Sequence, residues 1–215
     1  MATRLGNMAV GSTVKIKVNG ASKDFIVVQQ GNPNTSTYDS SCNGTWLLMK
    51  DIYTTSTFGN NNSYKDSDIH HYLNGDFYDA IDSDSRAVIK QVKIPYQNGT
   101  GSDGSLATGS NGLSTKVFLL SGYEVGWTTS DSALFPQDGA KLDYFGSGDD
   151  GNSKRVAYNG SSAASWWLRS PSAVDSNYVW RVITDGSGDN YWYNYSYGVR
   201  PAFILPSTLV VSDDG

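Results

Sequence analysis

Residues 165–205 read SWWLRSPSAVDSNYVWRVITDGSGDNYWYNYSYGVRPAFIL, and the fold turns on how this stretch is divided. Apolar and aromatic runs at Trp166–Arg169, Tyr178–Thr184, Asn190–Tyr195 and Val199–Leu205 are separated by Ser, Asp, Gly and Pro, the residues that favour turns between strands. The runs are short and rich in Val, Tyr and Trp. They predict that the C-terminal third forms a small antiparallel sheet.

Working outward, the glycine-, aspartate- and serine-rich stretch 146–162 reads as loop, and Lys116–Leu120 (KVFLL) as a strand entering the core, with a helical turn after it at Ser121–Trp127. Residues 97–115 hold almost no apolar anchor and predict a long surface loop. Between Asp66 and Lys90 the period changes. Ile69, Tyr72, Leu73, Phe77 and Ile81 fall at helical spacing behind a cap at Asp66 or Ser67, and Gly75 weakens the helix. A second short helix restarts at Asp82 or Ser83, with Val88 and Ile89 facing inward, before the extended segment Val92–Pro95. Thr45–Lys50 (TWLLMK) is a buried strand, the polar stretch Gly31–Gly44 before it an exposed loop, and 13–18 (TVKIKV) with Phe25–Val28 a hairpin with a slightly long loop around Asn19-Gly20. Strands at both ends, two short helices and long irregular loops make the class α+β. No composition break or internal repeat divides the 215 residues, so one domain over 1–215 is expected.

Composition narrows the function classes. The net charge is −5 and the 16 Lys and Arg are scattered singly, so no basic face is available to neutralise a nucleic-acid backbone. No window approaches the ~18 apolar residues of a membrane span, and Met1–Gly20 lacks the pattern of a signal peptide. Cys42 is the single cysteine, so no internal disulfide is possible and synthesis in a reducing cytoplasm is expected.

The segment from Tyr178 to Tyr197 holds seven aromatics in 20 residues. A strand points alternate side chains to opposite faces, so the tyrosines of 191–197 cannot all be core. Exposed Tyr among Asn, Ser, Asp and Gly is the composition of antibody-type recognition surfaces, where tyrosine brings area with few rotatable bonds. An edge strand whose tyrosines cover the core rim is the alternative.

Ser165-Trp166-Trp167-Leu168-Arg169-Ser170-Pro171, followed by Gly198-Val199-Arg200-Pro201-Ala202-Phe203, resembles the closing motif of C-type-lectin-like domains related to sulfatase-modifying enzymes, common in gut bacteria and their phages. Val10-Gly11-Ser12-Thr13-Val14, Ile69–Phe77 (IHHYLNGDF) and Lys116–Ser121 (KVFLLS) resemble that family's spaced elements, so the likeness covers nearly the whole chain. Within it, the chain is most similar to the variable proteins of diversity-generating retroelements, in which adenines near the end of the gene are miscopied. From an Asn codon such changes give Tyr, Asp, Ser, Ile, Gly or Arg and never a stop, and these residues crowd 175–197 between Val179-Trp180, Val182 and Val199-Arg200-Pro201. The resemblance therefore implies a variable region at 173–198. Its display positions would be Asp175, Asn177, Tyr178, Arg181, Ile183, Asp185, Ser187, Asp189, Asn190, Tyr191, Tyr193, Asn194, Tyr195, Ser196 and Tyr197. Trp166, Trp167, Arg169 and Arg200 read instead as scaffold.

The resemblance implies a receptor-recognition protein on a virion or cell surface, with a protein or glycan on another cell as ligand and no cofactor. Two other classes stay open: a structural module of a phage particle or surface assembly, and an enzyme-derived domain. They differ in the fate of Tyr191–Tyr197: displayed, sealed in an interface, or lining a reactive cleft. No catalytic set is found. The sulfatase-modifying relatives work through cysteines, and Cys42 lies alone in a polar loop. His70 and His71 are adjacent, about 100° apart on a helix, and cannot form the i, i+4 pair of a zinc site. Asp149-Asp150-Gly151-Asn152 lacks the spacing and closing Glu of a calcium loop, and the Glu-Pro-Asn and Trp-Asn-Asp sugar-binding motifs of true C-type lectins are missing. Asp82 and Asp84 read as helix-capping carboxylates. No metal is expected.

Overall fold

The computed structural model describes residues 2–100 and 106–212. Ten strands build two five-stranded sheets: β1 (Thr13–Val18), β2 (Ala21–Gln30), β3 (Thr45–Met49), β4 (Thr54–Thr57), β5 (Val117–Phe118), β6 (Trp166–Pro171), β7 (Tyr178–Val182), β8 (Gly188–Trp192), β9 (Ser196–Val199) and β10 (Ala202–Leu205). The inner sheet runs β5-β10-β3-β2-β1 and the outer sheet β8-β7-β6-β9-β4. Short helices α1 (Asp68–Asn74), α2 (Asp76–Ala80), α3 (Ser83–Val88) and α4 (Asn152–Arg155) lie on the connections. The molecule is thus a mixed α+β fold of small sheets, few short helices and long loops.

The β1–β2 hairpin is tighter than its sequence suggested. Asn19 and Gly20 both adopt positive φ, 50° and 75°, the requirement of a two-residue turn matched to strand twist, and pairing begins immediately at Val18 with Ala21. β3 is buried along its whole length at the middle of the inner sheet, where Phe25 meets Phe203 at 5.1 Å and Trp46 meets Tyr38 and Phe118 edge-on at 5.6 and 5.5 Å.

Four further expectations need correction. Gly75, with φ −116° and ψ −102°, divides the first helix into α1 and α2 instead of merely weakening it, so three helices occupy 68–88; Ser67 Oγ caps α1 by accepting from His70 N–H at 3.1 Å. The polar segment 31–44 is not simply exposed, because it buries Tyr38 and Cys42. Residues 97–115 are pinned by Leu113–Thr115 pairing with Val92–Ile94 and by Leu106–Ala107 pairing with Tyr96–Gln97, while 101–105 lie outside the described residues. Finally, the C-terminal third is not one antiparallel sheet. Its expected last strand, 199–205, splits at Arg200-Pro201: β9 belongs to the outer sheet, where it runs parallel to β6, and β10 to the inner. Arg200 makes this switch possible. It donates from Nε to Met49 O at 2.8 Å and from Nη2 to Lys50 O at 3.0 Å, its guanidinium lying over Trp166.

Around Arg169 of β6 lies a fully buried polar cluster. Arg169 pairs both terminal nitrogens with Glu124, at 2.5 and 2.6 Å, and donates to the carbonyls of Pro95, Leu119 and Asp138. Tyr38 Oη donates to Glu124 at 2.8 Å, and Ser170 Oγ donates to Asp138 Oδ2 at 2.7 Å, leaving Asp138 Oδ1 without a partner. At the two ends, Ala2–Arg4 pairs antiparallel with Val210–Ser212 and Leu5 is fully buried beside them. No helix among the described residues is long and apolar enough to cross a membrane.

Candidate functional site

Trp166, Trp167 and Leu168 bury both faces of β6, which makes the middle of the outer sheet rigid. β7 pairs with β6 through Trp166/Val182 and Trp167/Arg181, and with β8 through Tyr178/Trp192, Val179/Tyr191, Trp180/Asn190, Arg181/Asp189 and Val182/Gly188. Val179, Trp180 and Val182 are buried. Trp180 stacks on Phe135 at 3.6 Å, and its indole donates to Leu134 O at 3.0 Å, so the loop 122–135 backs this end of the sheet.

The register brings Arg181, Asp189, Tyr191 and Tyr197 together on one face. The Arg181 guanidinium lies 4.4 Å from the Tyr191 ring centre and 4.1 Å from that of Tyr197, and it donates from Nη2 to Asp189 Oδ2 at 2.7 Å. Tyr191 meets Tyr195 and Tyr197 edge-on at 4.9 and 5.9 Å, and Tyr197 meets Trp167 at 4.9 Å. A chain of rings therefore leads from the buried Trp167 out to Tyr195, which is 51% exposed. Burial raises the proton affinity of the Tyr197 phenol even though Arg181 opposes the shift. The face presents ring edges and hydroxyls with its charges internally paired. Its side chains are already fixed, so little rotamer freedom remains to be lost on contact.

None of the fifteen positions expected to vary is buried, while their neighbours Val179, Trp180, Val182, Gly186 and Val199 are. Their roles nevertheless divide. Arg181, Asp189, Tyr191, Tyr195 and Tyr197 form the aromatic clasp. Tyr178 and Asn190 lie on the opposite face, beside the ring of Trp192 that meets Tyr178 at 5.3 Å. Tyr193, Asn194 and Ser196 form the turn into β9, with Tyr193 partly buried against the core and Asn194 and Ser196 exposed. Asp175, Asn177, Ile183, Asp185 and Ser187 are turn residues: Asp175 accepts from Asn177 N–H at 2.8 Å, Asp185 from Ser187 N–H at 2.9 Å, and Ile183 N–H donates to Ser187 O. The Ser187 hydrogen bonds hold the Asp185 carboxyl below its usual range.

Two further residues position this segment without being evident in the sequence. Asn62 Nδ2 reaches the carbonyls of Asp175 and Tyr178 at 3.2 and 3.4 Å, fixing the approach to β7. Arg155, fully buried, donates to Gly186 O at 3.0 Å, to Val125 O at 2.7 Å and to Gly148 O, with its guanidinium 3.9 Å from the Trp127 ring. Asn152 of the acidic stretch 149–152 accepts from Arg155 at 2.6 Å, so that stretch starts a helix around an arginine. Trp192, a residue type that gives no sign of exposure in sequence, is 42% exposed.

Ionisable groups elsewhere are occupied structurally. Burial pushes the Cys42 thiol up to about 12 and its Sγ donates to Lys93 O, so it stays protonated. Burial lowers His70, whose Nδ1 lies 3.2 Å from Lys65 O. Among the described residues no group of three or more His, Cys, Asp or Glu could hold a metal ion. A groove beside β1 and α3, lined by Met8, Val88, Leu205 and Leu209, contains Lys15 and Asp84 as its ionisable residues, carrying no nucleophile–base pair.

Fold and site together define an α+β protein that carries an anchored, aromatic strand pair at the rim of its outer sheet. By sequence the chain belongs to the DUF6273 family, described as a domain of unknown function, whose model matches residues 43–207. The match includes the whole clasp and leaves out β1 and β2, although these supply two strands of the inner sheet. No curated protein and no solved structure matches the chain.

Proposed function

We propose that this protein is a ligand-binding domain of C-type-lectin-like architecture, in which the strand pair β7–β8 and the turn into β9 display a surface diversified by a retroelement. The observation that carries this reading is the sorting of 175–197. All fifteen candidate positions have solvent access, and Val179, Trp180, Val182 and Gly186 between them are buried. Such a division lets side chains change without disturbing the fold. Two small sheets with long connections support the lectin-like architecture.

The ligand is a protein or glycan on another cell, met from a virion or cell surface, because tyrosine edges, amides and hydroxyls suit either. A binding role is favoured over catalysis because the strongly shifted groups Cys42, Asp138, Arg155 and Arg200 are interior, while on the segment itself burial accounts for Tyr197 and the Ser187 hydrogen bonds for Asp185. The test is sequencing of this locus across many isolates. Substitutions concentrated at the fifteen display positions and traceable to adenines are expected. Changes spread evenly over the chain would remove the diversified surface and return the tyrosines to a fixed role.

A further inference from the structure

Pairing along the β1 edge of the inner sheet starts and then stops. Val18 bridges Ile81 antiparallel: Asp82 N–H donates to Lys17 O at 3.0 Å and Asn19 N–H to Ala80 O at 2.7 Å. Asp82 then caps α3, accepting from Asp84 N–H and Ser85 N–H at 3.2 and 3.1 Å, and the helix takes the chain out of strand conformation. The rest of the edge, Thr13–Ile16, lines a groove of about 710 Å³ together with Asp84, Ser85 and Val88 of α3 and with Leu205 and Leu209.

The β1–β2 ladder fixes which backbone groups point outward. The two-residue turn closes on the pair Val18/Ala21, and Val27 N–H donates to Ser12 O at 2.9 Å, so the even-numbered residues of 12–18 are the ones bonded to β2. Thr13, Lys15 and Lys17 therefore turn their backbone groups away from β2, as the bond from Asp82 to Lys17 O requires. Among the described residues, nothing bonds the N–H or C=O of Thr13 and Lys15 or the N–H of Lys17. Lysine on an edge strand discourages pairing, but the Lys15 ammonium is drawn to Asp24 of β2 at 2.9 Å.

We propose that this groove receives an extended peptide segment of a partner protein, which pairs antiparallel with Thr13–Ile16 as a further strand of the inner sheet and carries apolar residues at alternate positions. A second backbone matches donors and acceptors that repeat every second residue, whereas an acyl chain or ring system would fill the space and leave them without partners. The size agrees, since four residues of extended chain occupy roughly 600 Å³ at the spacings of packed sheets. The antiparallel direction continues that of 80–82 and lets Thr13 and Lys15 each exchange both bonds with one peptide residue. Side chains of those peptide residues fall on the exposed face beside Thr13 and Lys15 and are polar. The residues between them fall on the face of Val14 and Ile16, both buried, and are apolar. The groove belongs to the inner sheet, and its occupancy does not depend on what the clasp binds.

The test is fluorescence anisotropy of a labelled peptide of alternating threonine and valine, with a glutamate at one end and a lysine at the other, titrated with the whole chain. Saturable binding is expected, with slowed hydrogen exchange at the Thr13, Lys15 and Lys17 amides. Methylating the threonine backbone nitrogens, which face β1, should weaken binding roughly tenfold or more, while methylating the valine nitrogens, which face away, should change it less than about threefold. Lys15→Pro removes one outward donor at an edge where proline is tolerated, and Ser85→Phe fills the groove from the side of α3. Each should weaken binding by roughly tenfold with circular dichroism unchanged, and the pair of methylated peptides decides the matter if a variant loses its fold. A peptide that does not bind at about 1 mM chain overturns the proposal. So does binding that is as sensitive to methylation at valine as at threonine, or that either folded variant leaves intact.

Discussion

Asp138 shows how one buried side chain sets a property of the whole protein. Arg169 spends its charge on Glu124, and Asp138 retains a single donor, the Ser170 hydroxyl; burial, with Glu124 adding to it and Arg169 opposing, lifts its proton affinity from 3.8 to about 7. A carboxyl that holds its proton more tightly when folded favours folding at low pH. Stability should therefore decline as pH rises from about 4, where the unfolded chain releases this proton, through about 7, where the folded chain does. The decline is of the order of 4 kcal/mol at most. Thermal melts across this window should show it, and Asp138→Asn should flatten the profile; an unchanged slope in the variant would assign the decline to other groups. Arg181 is the corresponding test at the surface. Arg181→Ala removes two ring contacts and the Asp189 pair and should lower stability by about 1 kcal/mol in urea unfolding. Arg181→Lys should recover less than half of this, because a compact ammonium does not fill the planar slot between two tyrosine rings.

The turn between β7 and β8 depends on Gly186. Its φ is +87°, and a Cβ there would stand 1.9 Å from Asn152 O, a carbonyl on the helix that carries Arg155. Gly186→Ala should destabilise by roughly 3 kcal/mol, from backbone strain and the displaced α4, measurable as a fall in melting temperature. The sequence announced that a turn was present at Asp185-Gly186 but gave no sign of its dependence on Arg155, 31 residues away. The same contrast recurs through the fold. Local chemistry showed the Asn19-Gly20 hairpin, the Ser67 cap and the burial of Trp166 and Trp167, because each follows from side-chain period or turn preference. Features made by distant pairing left no local trace: Tyr38 in a polar loop is buried by Glu124, 86 residues on, and 199–205 looked continuous because only the carbonyls of Met49 and Lys50, gripping Arg200, divide it between sheets.

At the scale of the whole molecule, the ends and the core are one structure. Leu5 N–H donates to Leu209 O at 2.8 Å and its side chain joins the hydrophobic cluster that extends to Leu205. Leu5→Ala should cost about 3 kcal/mol, as a buried leucine truncation does, and should open the pairing of Ala2–Arg4 with Val210–Ser212. Hydrogen exchange would then show both end strands losing protection together; loss in one alone would mean that they are held separately.

The pleat of β7 and β8, which sets Arg181, Asp189 and Tyr191 on one face and Tyr178, Asn190 and Trp192 on the other, also limits how this protein can change over time. A replaced letter alters one contact, whereas an added letter shifts the reading frame of the pleat. One residue inserted after Gly188 would carry Tyr191 to the side of Trp192 and put Asn190 into the slot beside Arg181, exchanging the two faces at a stroke. Lineages of this protein should therefore differ in spelling between 175 and 197 and agree in length.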